Sequence, residues 1–367
     1  MITKPLGQMA VRISSIGLGM NVADSSRTIS AEAQVDLVRL AGTLGINFLD
    51  TAPNYLSGQS EEIVTAGIKG RRKEFVVATK VPPEATSYAR LIQAADSSLA
   101  RLKSDWIDLY QVHWPNPIVP MNETMGAMDT LVRDGKVRQV GVSNFSMNEL
   151  REAERCFSAG ALASVQVEYN LFDRTVESEM LPYCRERGMT VIAYSPLHRG
   201  RLAGSARGRE TLKEIAERHA CSSAQVALRW IAAQDSVVPI PNTTNPSRLR
   251  ENAKAIELEL SGEELDQIGQ CRTDPVPVPT DSIQVADNTG RKVYTTLKEA
   301  RENPLGFVPS PAQLAEQIRS GEFLKPVRVR HAEHGRGGYE LLEGRVRYWA
   351  WVIAFGGKQP IPVLIDS

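Results

Sequence analysis

The chain has 367 residues and carries 43 basic and 43 acidic side chains, so its formal net charge at pH 7 is zero. This balance excludes a global electrostatic field that would draw the protein to nucleic acid or to a membrane surface, and leaves only local patches for such contacts. The length exceeds that of one average domain and predicts a large domain with a smaller addition.

The cysteine content and the lengths of the apolar runs further limit the classes of protein to which the chain can belong. Four widely spaced cysteines include no Cys-x-x-Cys pair, which argues against a metal site or a disulfide framework. Cysteines scattered in this way suit a reducing compartment. No apolar run is long enough to span a bilayer, and the N-terminal residues lack the charged-then-apolar pattern of a secretion signal. We therefore expect a cytoplasmic protein.

The predicted elements begin with a hairpin over residues 2–13, broken at Pro5-Leu6-Gly7. Apolar runs typical of buried strands then alternate with segments of helical periodicity. Strands are predicted at residues 15–19, 46–49, 75–79, 107–112, 137–142, 164–167, 190–193 and 237–240. Helices are predicted from residues 30 and 60, and over residues 88–102, 122–133, 147–157, 178–186, 212–218, 224–233 and 246–255. Eight strand–helix units after a hairpin predict an α/β fold, a (β/α)8 barrel.

The strand–helix alternation stops after about residue 271. Residues 273–280 alternate proline with valine, and each proline removes a backbone donor and favours extended geometry. We predict a barrel domain over residues 1–272, a small α+β domain over residues 283–367 and, over residues 273–282, a stiff linker or an extended strap lying on the barrel. Helices are predicted in this last domain at residues 312–318 and 346–355, and strands at residues 326–329, 339–342 and 360–365.

Polar residues stand at the ends of three predicted strands. Asp50, Lys80 and His113 each follow an apolar run, and Tyr55 lies in the short loop after Asp50. The C-terminal ends of the strands of a parallel barrel converge on one rim, where catalytic groups gather. Each residue alone also has an ordinary structural interpretation, as a turn-forming aspartate, a solvated lysine or a packed histidine.

The type, order and strand context of these four residues resemble the catalytic tetrad of the aldo-keto reductase family. Further motifs similar to those of the family follow in its order, namely Gly141-Val142-Ser143-Asn144-Phe145, Gln166-Val167-Glu168-Tyr169-Asn170, Ala193-Tyr194-Ser195-Pro196-Leu197 and Ile240-Pro241-Asn242. The resemblance covers residues 6–271. It implies a barrel with the hairpin at its floor and an NADPH-dependent reduction of a carbonyl to an alcohol.

The resemblance also implies a role for each tetrad residue. Tyr55 would act as the general acid, although the pKa of an ordinary tyrosine is about 10. A nearby cation such as Lys80 lowers the pKa of a phenol because it favours the phenolate. Asp50 would hold the lysine ammonium in place, and His113 would donate a hydrogen bond that orients the carbonyl.

The implied cofactor is NADP(H), with NAD(H) as the less favoured alternative. Ser143, Asn144 and Gln166 would hold the nicotinamide carboxamide, and Tyr194 would stack on the nicotinamide ring. Arg248 would face the 2′-phosphate. The resemblance further implies that Ser195, Pro196, Leu197, Arg199 and Gly200 hold the cofactor pyrophosphate, and that Asn242, Thr243, Glu251 and Asn252 lie with Arg248 at the adenosine end. The other implied cofactor-binding residues are Gly19, Met20, Asp50 and Ile240. Many family members have lysine where this chain has Asn242, which weakens the expected grip on NADP(H). No metal is expected, and no Gly-x-Gly-x-x-Gly fingerprint indicates a Rossmann site.

The substrate pocket is the least specified part of the sequence. By family position it would include Val22, Tyr55, Leu56 and Trp114, with Trp114 as one wall. Leu56 stands where the family usually has a glycine, and we expect it to narrow the entrance. These residues leave aldehydes, ketones, sugars and polyketide-like carbonyls open as substrates.

The C-terminal segment is similar to a ParB-like (ParB/sulfiredoxin-like) domain. The similarity rests on Pro311-Ala312-Gln313-Leu314-Ala315, Lys325-Pro326-Val327, Tyr339-Glu340-Leu341-Leu342-Glu343-Gly344 and Arg345-Val346-Arg347-Tyr348-Trp349-Ala350. In that family a Gly-x-Arg-Arg type turn at a helix start contacts nucleotide phosphates. Gly344, Arg347 and Ala350 keep this pattern, whereas Val346 replaces the first arginine. A nucleotide or a protein is therefore the expected partner of this domain, and DNA is not.

Two other functions are compatible with the same residues. The barrel could serve as a nicotinamide redox sensor in a regulatory protein, with the C-terminal domain binding a nucleotide, DNA or a protein. A role like that of potassium-channel β-subunits, which share this barrel, is the third hypothesis. A complete tetrad favours catalysis over both.

Overall fold

A computed structural model describes residues 1–8, 11–21, 29–202, 206–271, 275–285, 294–307, 309–321, 325–332 and 338–366. The chain forms two compact units. The first consists of Met1–Ala203 with Arg209–Gln270, and the second of Gly204–Gly208 with Cys271–Ser367. Across the described ranges, no helix is both long enough and apolar enough to cross a membrane.

The first unit is built on a parallel sheet. A hairpin of β1 (Thr3–Pro5) and β2 (Arg12–Ser14) precedes it, paired antiparallel. Among the described residues the sheet has eight strands: β3 (Leu18–Gly19), β4 (Phe48–Asp50), β5 (Val76–Val81), β6 (Ile107–Val112), β7 (Val137–Ser143), β8 (Ser164–Glu168), β9 (Thr190–Tyr194) and β10 (Val237–Pro239). Each strand pairs with the next one along the chain, as expected for consecutive strand–helix units.

Backbone hydrogen bonds join the first barrel strand to the last. The Gly17 N–H donates to the Pro239 carbonyl at 2.9 Å, and the Gly19 N–H donates to the Pro241 carbonyl at 3.2 Å. Because β3 and β10 are the two ends of the sheet, these bonds close it into a barrel. The barrel that the sequence predicts is therefore the fold of the first unit.

Helices surround the barrel strands and bury one apolar face each. They are α1 (Ala31–Thr43), α2 (Gln59–Gly67), α3 (Tyr88–Leu102), α4 (Met121–Arg133), α5 (Met147–Cys156), α6 (Met180–Glu186), α7 (Ala206–Arg218), α8 (Ser223–Ala233), α9 (Pro246–Lys254) and α10 (Gly262–Gln270). In α3 the buried positions Leu91, Ala95 and Leu102 recur at helical spacing. The Ser146 and Ser222 side chains start α5 and α8 with capping boxes.

Helix bounds differ from the sequence prediction mainly where apolar residues are few. The structure contains α10, which the sequence analysis does not predict, and α7 begins several residues before the predicted start at residue 212. In α10 the apolar contacts come from Leu265 and the buried Ile268, too few to produce a clear period. Acidic residues in its first turn, Glu263 and Glu264, favour the helix electrostatically.

The second unit contains a smaller mixed sheet. Its described strands are β11 (Val276–Val278), β12 (Ile283–Gln284), β13 (Val327–His331), β14 (Tyr339–Glu343) and β15 (Ile361–Asp366), in the spatial order β11-β15-β13-β14-β12. Its helices are α11 (Leu297–Glu302), α12 (Pro311–Arg319) and α13 (Arg345–Phe355). Its core combines aliphatic residues with the aromatic side chains of Tyr294, Tyr348 and Trp349. The Trp349 indole N–H donates to the Tyr294 carbonyl at 2.8 Å, and the Tyr348 hydroxyl donates to the Thr280 carbonyl at 2.9 Å.

The proline–valine segment that the sequence predicts as a linker lies in this sheet. Strand β11 pairs antiparallel with β15, so that Pro277 stands opposite Pro362. Pro277 is tolerated because β11 is an edge strand, where a missing backbone N–H can face away from the sheet. Strand β12 pairs with β14 at the other edge. Within the described residues, the segment is thus part of the second unit and not a free connection.

The N-terminal end of β6 carries a buried charge cluster. The Asp108 carboxylate accepts hydrogen bonds from the Val77 N–H at 3.0 Å and from the Trp106 indole at 2.9 Å. It also pairs with Arg72 at 2.6 Å and with Arg138 at 3.1 Å. The two guanidinium carbons lie 4.9 and 4.2 Å from the Trp106 ring centroid, within cation–π range. One carboxylate therefore ties together β5, β6 and β7.

Replacement of this carboxylate should destabilise the barrel. We expect Asp108→Ala to lower the free energy of unfolding by roughly 3–5 kcal/mol, because it leaves the largely buried Arg72 without its counter-charge. The exposed Asp105 in the preceding loop provides the control, and Asp105→Ala should change stability by less than about 0.5 kcal/mol. Urea unfolding followed by circular dichroism measures both, and equal stability of the two variants would contradict the assignment.

Candidate active site

Four predicted residues meet at the C-terminal rim of the barrel. Asp50 ends β4, Lys80 lies near the end of β5, His113 follows β6, and Tyr55 lies in the loop after β4. The Lys80 Nζ lies 2.6 Å from Oδ1 of Asp50 and 3.5 Å from the Tyr55 hydroxyl oxygen. It also donates to the Thr51 carbonyl at 2.9 Å. The ammonium thus connects the carboxylate to the phenol.

The Lys80–Asp50 pair is almost completely removed from water, with side-chain exposures of 0% and 2%. Burial alone would lower the pKa of the lysine, but Asp50 and Tyr55 reverse this and raise it above the ordinary value. Lys80 is therefore a permanent cation at physiological pH. A buried cation of this kind needs its counter-charge and its hydrogen-bond acceptors in fixed positions.

Tyr55 keeps its proton in this environment. Burial raises the pKa of Tyr55 above 10, while the charge of Lys80 acts in the opposite direction and only partly offsets burial. From the sequence, a nearby cation is predicted to lower the pKa of Tyr55. The larger effect of burial, which raises that pKa, depends on the folded surroundings and is not predicted from the sequence. Tyr55 is accordingly a neutral phenol at physiological pH, with its proton available to a nearby acceptor.

His113 lies beside Tyr55 as a neutral ring. The two ring centroids are 5.8 Å apart in an edge-on arrangement. Burial, and secondarily the charge of Lys80, lowers the pKa of His113 to about 3. The buried Nδ1 makes no hydrogen bond within the described residues. A neutral imidazole has one N–H to donate, which suits recognition of an uncharged carbonyl oxygen.

Two buried amides hold the second oxygen of Asp50. Gln166 Nε2 donates to Oδ2 at 2.7 Å, and Gln111 Nε2 donates to the same atom at 3.2 Å. Gln111 is absent from the residues predicted from sequence. Gln111 lies in β6 two residues before His113, and this strand spacing is the signal that would have indicated it as a residue near the rim, although not its contact with Asp50.

Two of the three residues expected to hold the nicotinamide carboxamide, Ser143 and Asn144, form a hydrogen-bonded group with Tyr194. Asn144 Nδ2 donates to the His113 carbonyl at 2.9 Å and to the Ser143 hydroxyl at 3.0 Å. The Tyr194 hydroxyl donates to Asn144 Oδ1 at 2.9 Å, which fixes the position of the aromatic ring. Asn144 adopts a left-handed backbone conformation with φ of 61°. Gln166 lies apart from this group, with its Nε2 directed at Asp50.

The segment after β9 was predicted to hold the cofactor pyrophosphate. Ser195 and His198 both have positive φ angles, 48° and 45°, so the chain turns sharply here. The Ser195 carbonyl accepts a hydrogen bond from Asn170 at 3.1 Å. The buried His198 ring stacks on Phe172 with centroids 4.5 Å apart. Pro196 and Leu197 lie between Ser195 and His198, and Gly200 follows in the same turn. The Arg199 side chain lies outside the described residues.

The predicted adenosine end lies around the start of α9. Asn245 caps this helix, and its side chain accepts from the backbone N–H of Ser247 at 2.8 Å. Arg248 is exposed in the first turn. Asn242 donates to the Asn21 carbonyl. The remaining predicted residues are distributed around this end: Gly19, Met20, Asn242 and Thr243 line one small cavity, Ile240 and Asn252 are buried, and Glu251 accepts from the Ser222 hydroxyl.

The loop that carries Tyr55 has an unusual backbone. Leu56 and Ser57 adopt left-handed conformations with φ of 50° and 53°, and Gly58 follows with φ of 92°. A left-handed non-glycine residue costs about 1–2 kcal/mol. The half-buried Leu56 packs against the barrel core, which offsets part of this cost. The packing of Leu56 therefore holds the loop against the barrel core.

The other predicted pocket residue in the described chain is Trp114. Its side chain follows His113 at the rim and remains 43% exposed, one of the most exposed large apolar residues of the barrel. An aromatic surface of this kind beside a buried polar site suits contact with a small ligand. Val22, also predicted for the pocket, lies outside the described residues.

Comparison with known proteins agrees with this geometry. The model of the Aldo/keto reductase family matches residues 15–273. Methylglyoxal reductase YeaE of Escherichia coli (strain K12) is 34% identical over 245 residues, covering 66% of this chain and 86% of that protein. Glyoxal reductase of Bacillus subtilis (strain 168) is 37% identical over 240 residues, covering 65% and 83%.

A solved structure extends the comparison to three dimensions. An aldo-keto reductase from Klebsiella pneumoniae, in complex with NADPH, superposes with a TM-score of 0.67 at 32% sequence identity. The match covers 74% of this chain and 95% of that one. The family model, the relatives and the barrel with its polar rim lead to one conclusion: the chain belongs to the aldo/keto reductase family.

Proposed function

We propose that this protein reduces the carbonyl group of a small aldehyde or ketone to an alcohol with NADPH, and that Tyr55 supplies the proton. The observation that carries the proposal is the buried arrangement in which Lys80 lies 2.6 Å from Asp50 and 3.5 Å from the Tyr55 hydroxyl. The two curated relatives are named as reductases of methylglyoxal and glyoxal, so small 2-oxoaldehydes are the first substrates to assay.

The donor and acceptor groups at the rim fit a nicotinamide nucleotide. Gln166 directs Nε2 at Asp50, which leaves its oxygen as the acceptor for a carboxamide NH2. Tyr194 offers an aromatic face whose position is fixed through Asn144. Arg248 and the capped N-terminus of α9 offer positive charge to a phosphate. The neighbouring structure with NADPH supports the choice of this nucleotide. When bound, it would supply the hydride.

The residues of this chain then have separable tasks in the proton transfer. The neutral His113 would donate its N–H to the carbonyl oxygen and orient it. Tyr55 would pass its proton to that oxygen as negative charge develops there. Lys80 would stabilise the phenolate left behind, and Asp50 would keep the lysine in place. Burial strengthens each of these interactions because water does not screen them.

The regulatory alternative, in which the barrel only senses the nicotinamide redox state, is not favoured. The described site keeps an acid, a cation and a neutral hydrogen-bond donor within reach of one another. A sensor requires only cofactor binding, and nothing in that role calls for a protonated phenol beside a buried lysine. The relatives named above are likewise catalysts by name.

Removal of the Tyr55 hydroxyl tests the proposed acid. We expect Tyr55→Phe to reduce kcat by about 100-fold or more while NADPH affinity stays close to that of the parent protein. Tyr88→Phe is the matched control, since its exposed hydroxyl lies on α3, shares a hydrogen bond with Thr130 and belongs to no part of the tetrad. Steady-state kinetics with methylglyoxal and NADPH measure the effect. Parent-like turnover in Tyr55→Phe would exclude the role.

Cofactor preference should depend on Arg248. We expect the parent protein to bind NADPH more tightly than NADH, and Arg248→Ala to weaken NADPH binding by roughly 1.5–3 kcal/mol through loss of a charge-assisted contact. NADH affinity should change little. Arg250→Ala, another exposed arginine of the same helix, is the control. Equal affinities of the parent protein for both nucleotides, measured by fluorescence titration, would refute the assignment.

We also propose that the second unit is a ParB-like module that binds a partner. The turn from β14 into α13 supports this, because Gly344 has φ of 92° directly before the helix. Arg347, however, donates to the Lys325 and Pro326 carbonyls at 3.0 and 2.8 Å. Since these carbonyls accept from Nη1, Nη2 lies 3.6 Å from the Glu343 carboxylate and Val346 offers no charge, we favour a protein partner over a nucleotide.

A thermal-shift titration of the whole chain separates the two kinds of partner. We expect nucleoside triphosphates with Mg²⁺ to leave Tm unchanged, because a ligand that does not bind the native state cannot stabilise it. NADPH provides the positive control on the same sample, since its binding should raise Tm. A nucleotide-dependent rise that disappears in Arg345→Ala would instead indicate phosphate binding at α13.

A further inference from the structure

Three buried polar side chains, those of Asp50, Gln111 and Gln166, form a hydrogen-bonded ring that includes the second carboxylate oxygen of Asp50. Asp50, Gln111 and Gln166 are exposed by 2%, 0% and 3%. Gln111 Nε2 and Gln166 Nε2 both donate to Oδ2, at 3.2 and 2.7 Å. Gln166 Nε2 also donates to Gln111 Oε1 at 3.3 Å. Each member of the ring is therefore held by the other two.

The carboxylate determines which way the two amides face. An ionised carboxylate only accepts hydrogen bonds, so both glutamines must direct their NH2 groups toward Asp50. The Gln166 NH2 lies between two acceptors, Asp50 Oδ2 and Gln111 Oε1, and this prevents the amide from turning over. Its oxygen then remains available on the side away from the ring, as an acceptor for an N–H donor.

The neighbouring strand leaves room for the Gln111 side chain. Gln111 pairs with Gly141 in the register of β6 and β7. A Cβ atom at Gly141 would lie 3.3 Å from Gln111 Cγ and would also collide with the Ser164 hydroxyl. A residue with a side chain at Gly141 would clash with Ser164 and press against the glutamine. The barrel interior is therefore shaped to hold this amide in place.

We infer that Gln111 is a positioning residue that couples cofactor recognition at Gln166 to the proton relay of Asp50, Lys80 and Tyr55. By holding Oδ2, Gln111 keeps Oδ1 directed at the lysine ammonium. By accepting from Gln166, it fixes the orientation of that amide, whose oxygen would accept a hydrogen bond from the nicotinamide carboxamide. The inference rests on the proposed function and adds a residue that touches neither substrate nor cofactor.

The first test is Gln111→Met, which preserves length and apolar volume but removes the donor and the acceptor. We expect kcat to fall about tenfold, because a hydrogen bond to a charged group is lost, and the KM for NADPH to rise. Asp50 loses a compensating donor, so its negative charge acts more strongly on Tyr55. Since a nearby anion disfavours the phenolate, the alkaline limb of the kcat profile should move to higher pH.

Gln139→Met is the matched control. Gln139 is also a buried glutamine of a barrel strand, two residues before Gly141, and it is not a member of the ring formed by Asp50, Gln111 and Gln166. We expect its kcat, its KM for NADPH and its pH profile to match those of the parent protein. A structural role for buried glutamines in general would instead lower the stability of both variants and leave the alkaline limb unmoved.

A second variant, Gln111→Glu, keeps the shape and replaces the donor with an acceptor. We expect a larger loss of kcat than in Gln111→Met, because two carboxylates would then face each other. Parent-like kcat, KM and pH profile in either folded variant would overturn the inference while leaving the proposed function intact. Failure of both variants to fold would assign Gln111 a structural role and overturn it too. A parent protein inactive with NADPH on every carbonyl tested would refute the proposed function itself.

Discussion

The buried ion pair between Lys80 and Asp50 constrains the rest of the active site. Two charges withdrawn from water are tolerated only when other protein groups replace the water that they lose. The Thr51 carbonyl does so for the ammonium, and the amides of Gln111 and Gln166 do so for the carboxylate. The barrel register makes this arrangement possible, because Lys80 stands level with Gln111 across β5 and β6.

Burial has different consequences for the three titratable groups around this pair. It keeps the phenol of Tyr55 protonated and the ring of His113 neutral, whereas the adjacent carboxylate keeps Lys80 charged. An acid, an uncharged donor and a cation thus coexist within a few ångströms in one desolvated environment. Because a single desolvated region sets all three states, changes in its packing affect all three together.

Much of the barrel could be predicted from sequence, since each strand is an apolar run and each rim residue follows one directly. Asp50, Lys80 and His113 are recognisable in this way. The contact of Gln111 with Asp50 could not be predicted, because it joins β6 to a strand two places away and depends on the register of both pairings. The left-handed conformation of Leu56 is likewise opposed by its residue type, and only its packing in the fold accounts for it.

The pairing of β11 with β15 has a consequence for how the second unit assembles during synthesis. These two strands, Val276–Val278 and Ile361–Asp366, lie at opposite ends of the second unit's sequence yet are hydrogen-bonded neighbours. Contacts over such a long separation form late, because closing a long loop costs entropy before any contact repays it. The barrel strands all precede β11 in the sequence, and each pairs with the next one along the chain until the bond between Gly17 and Pro239 closes the barrel. We therefore expect the barrel to fold before β11 pairs with β15. During that interval β11 is an unpaired edge strand, with which a chaperone or a second chain could pair.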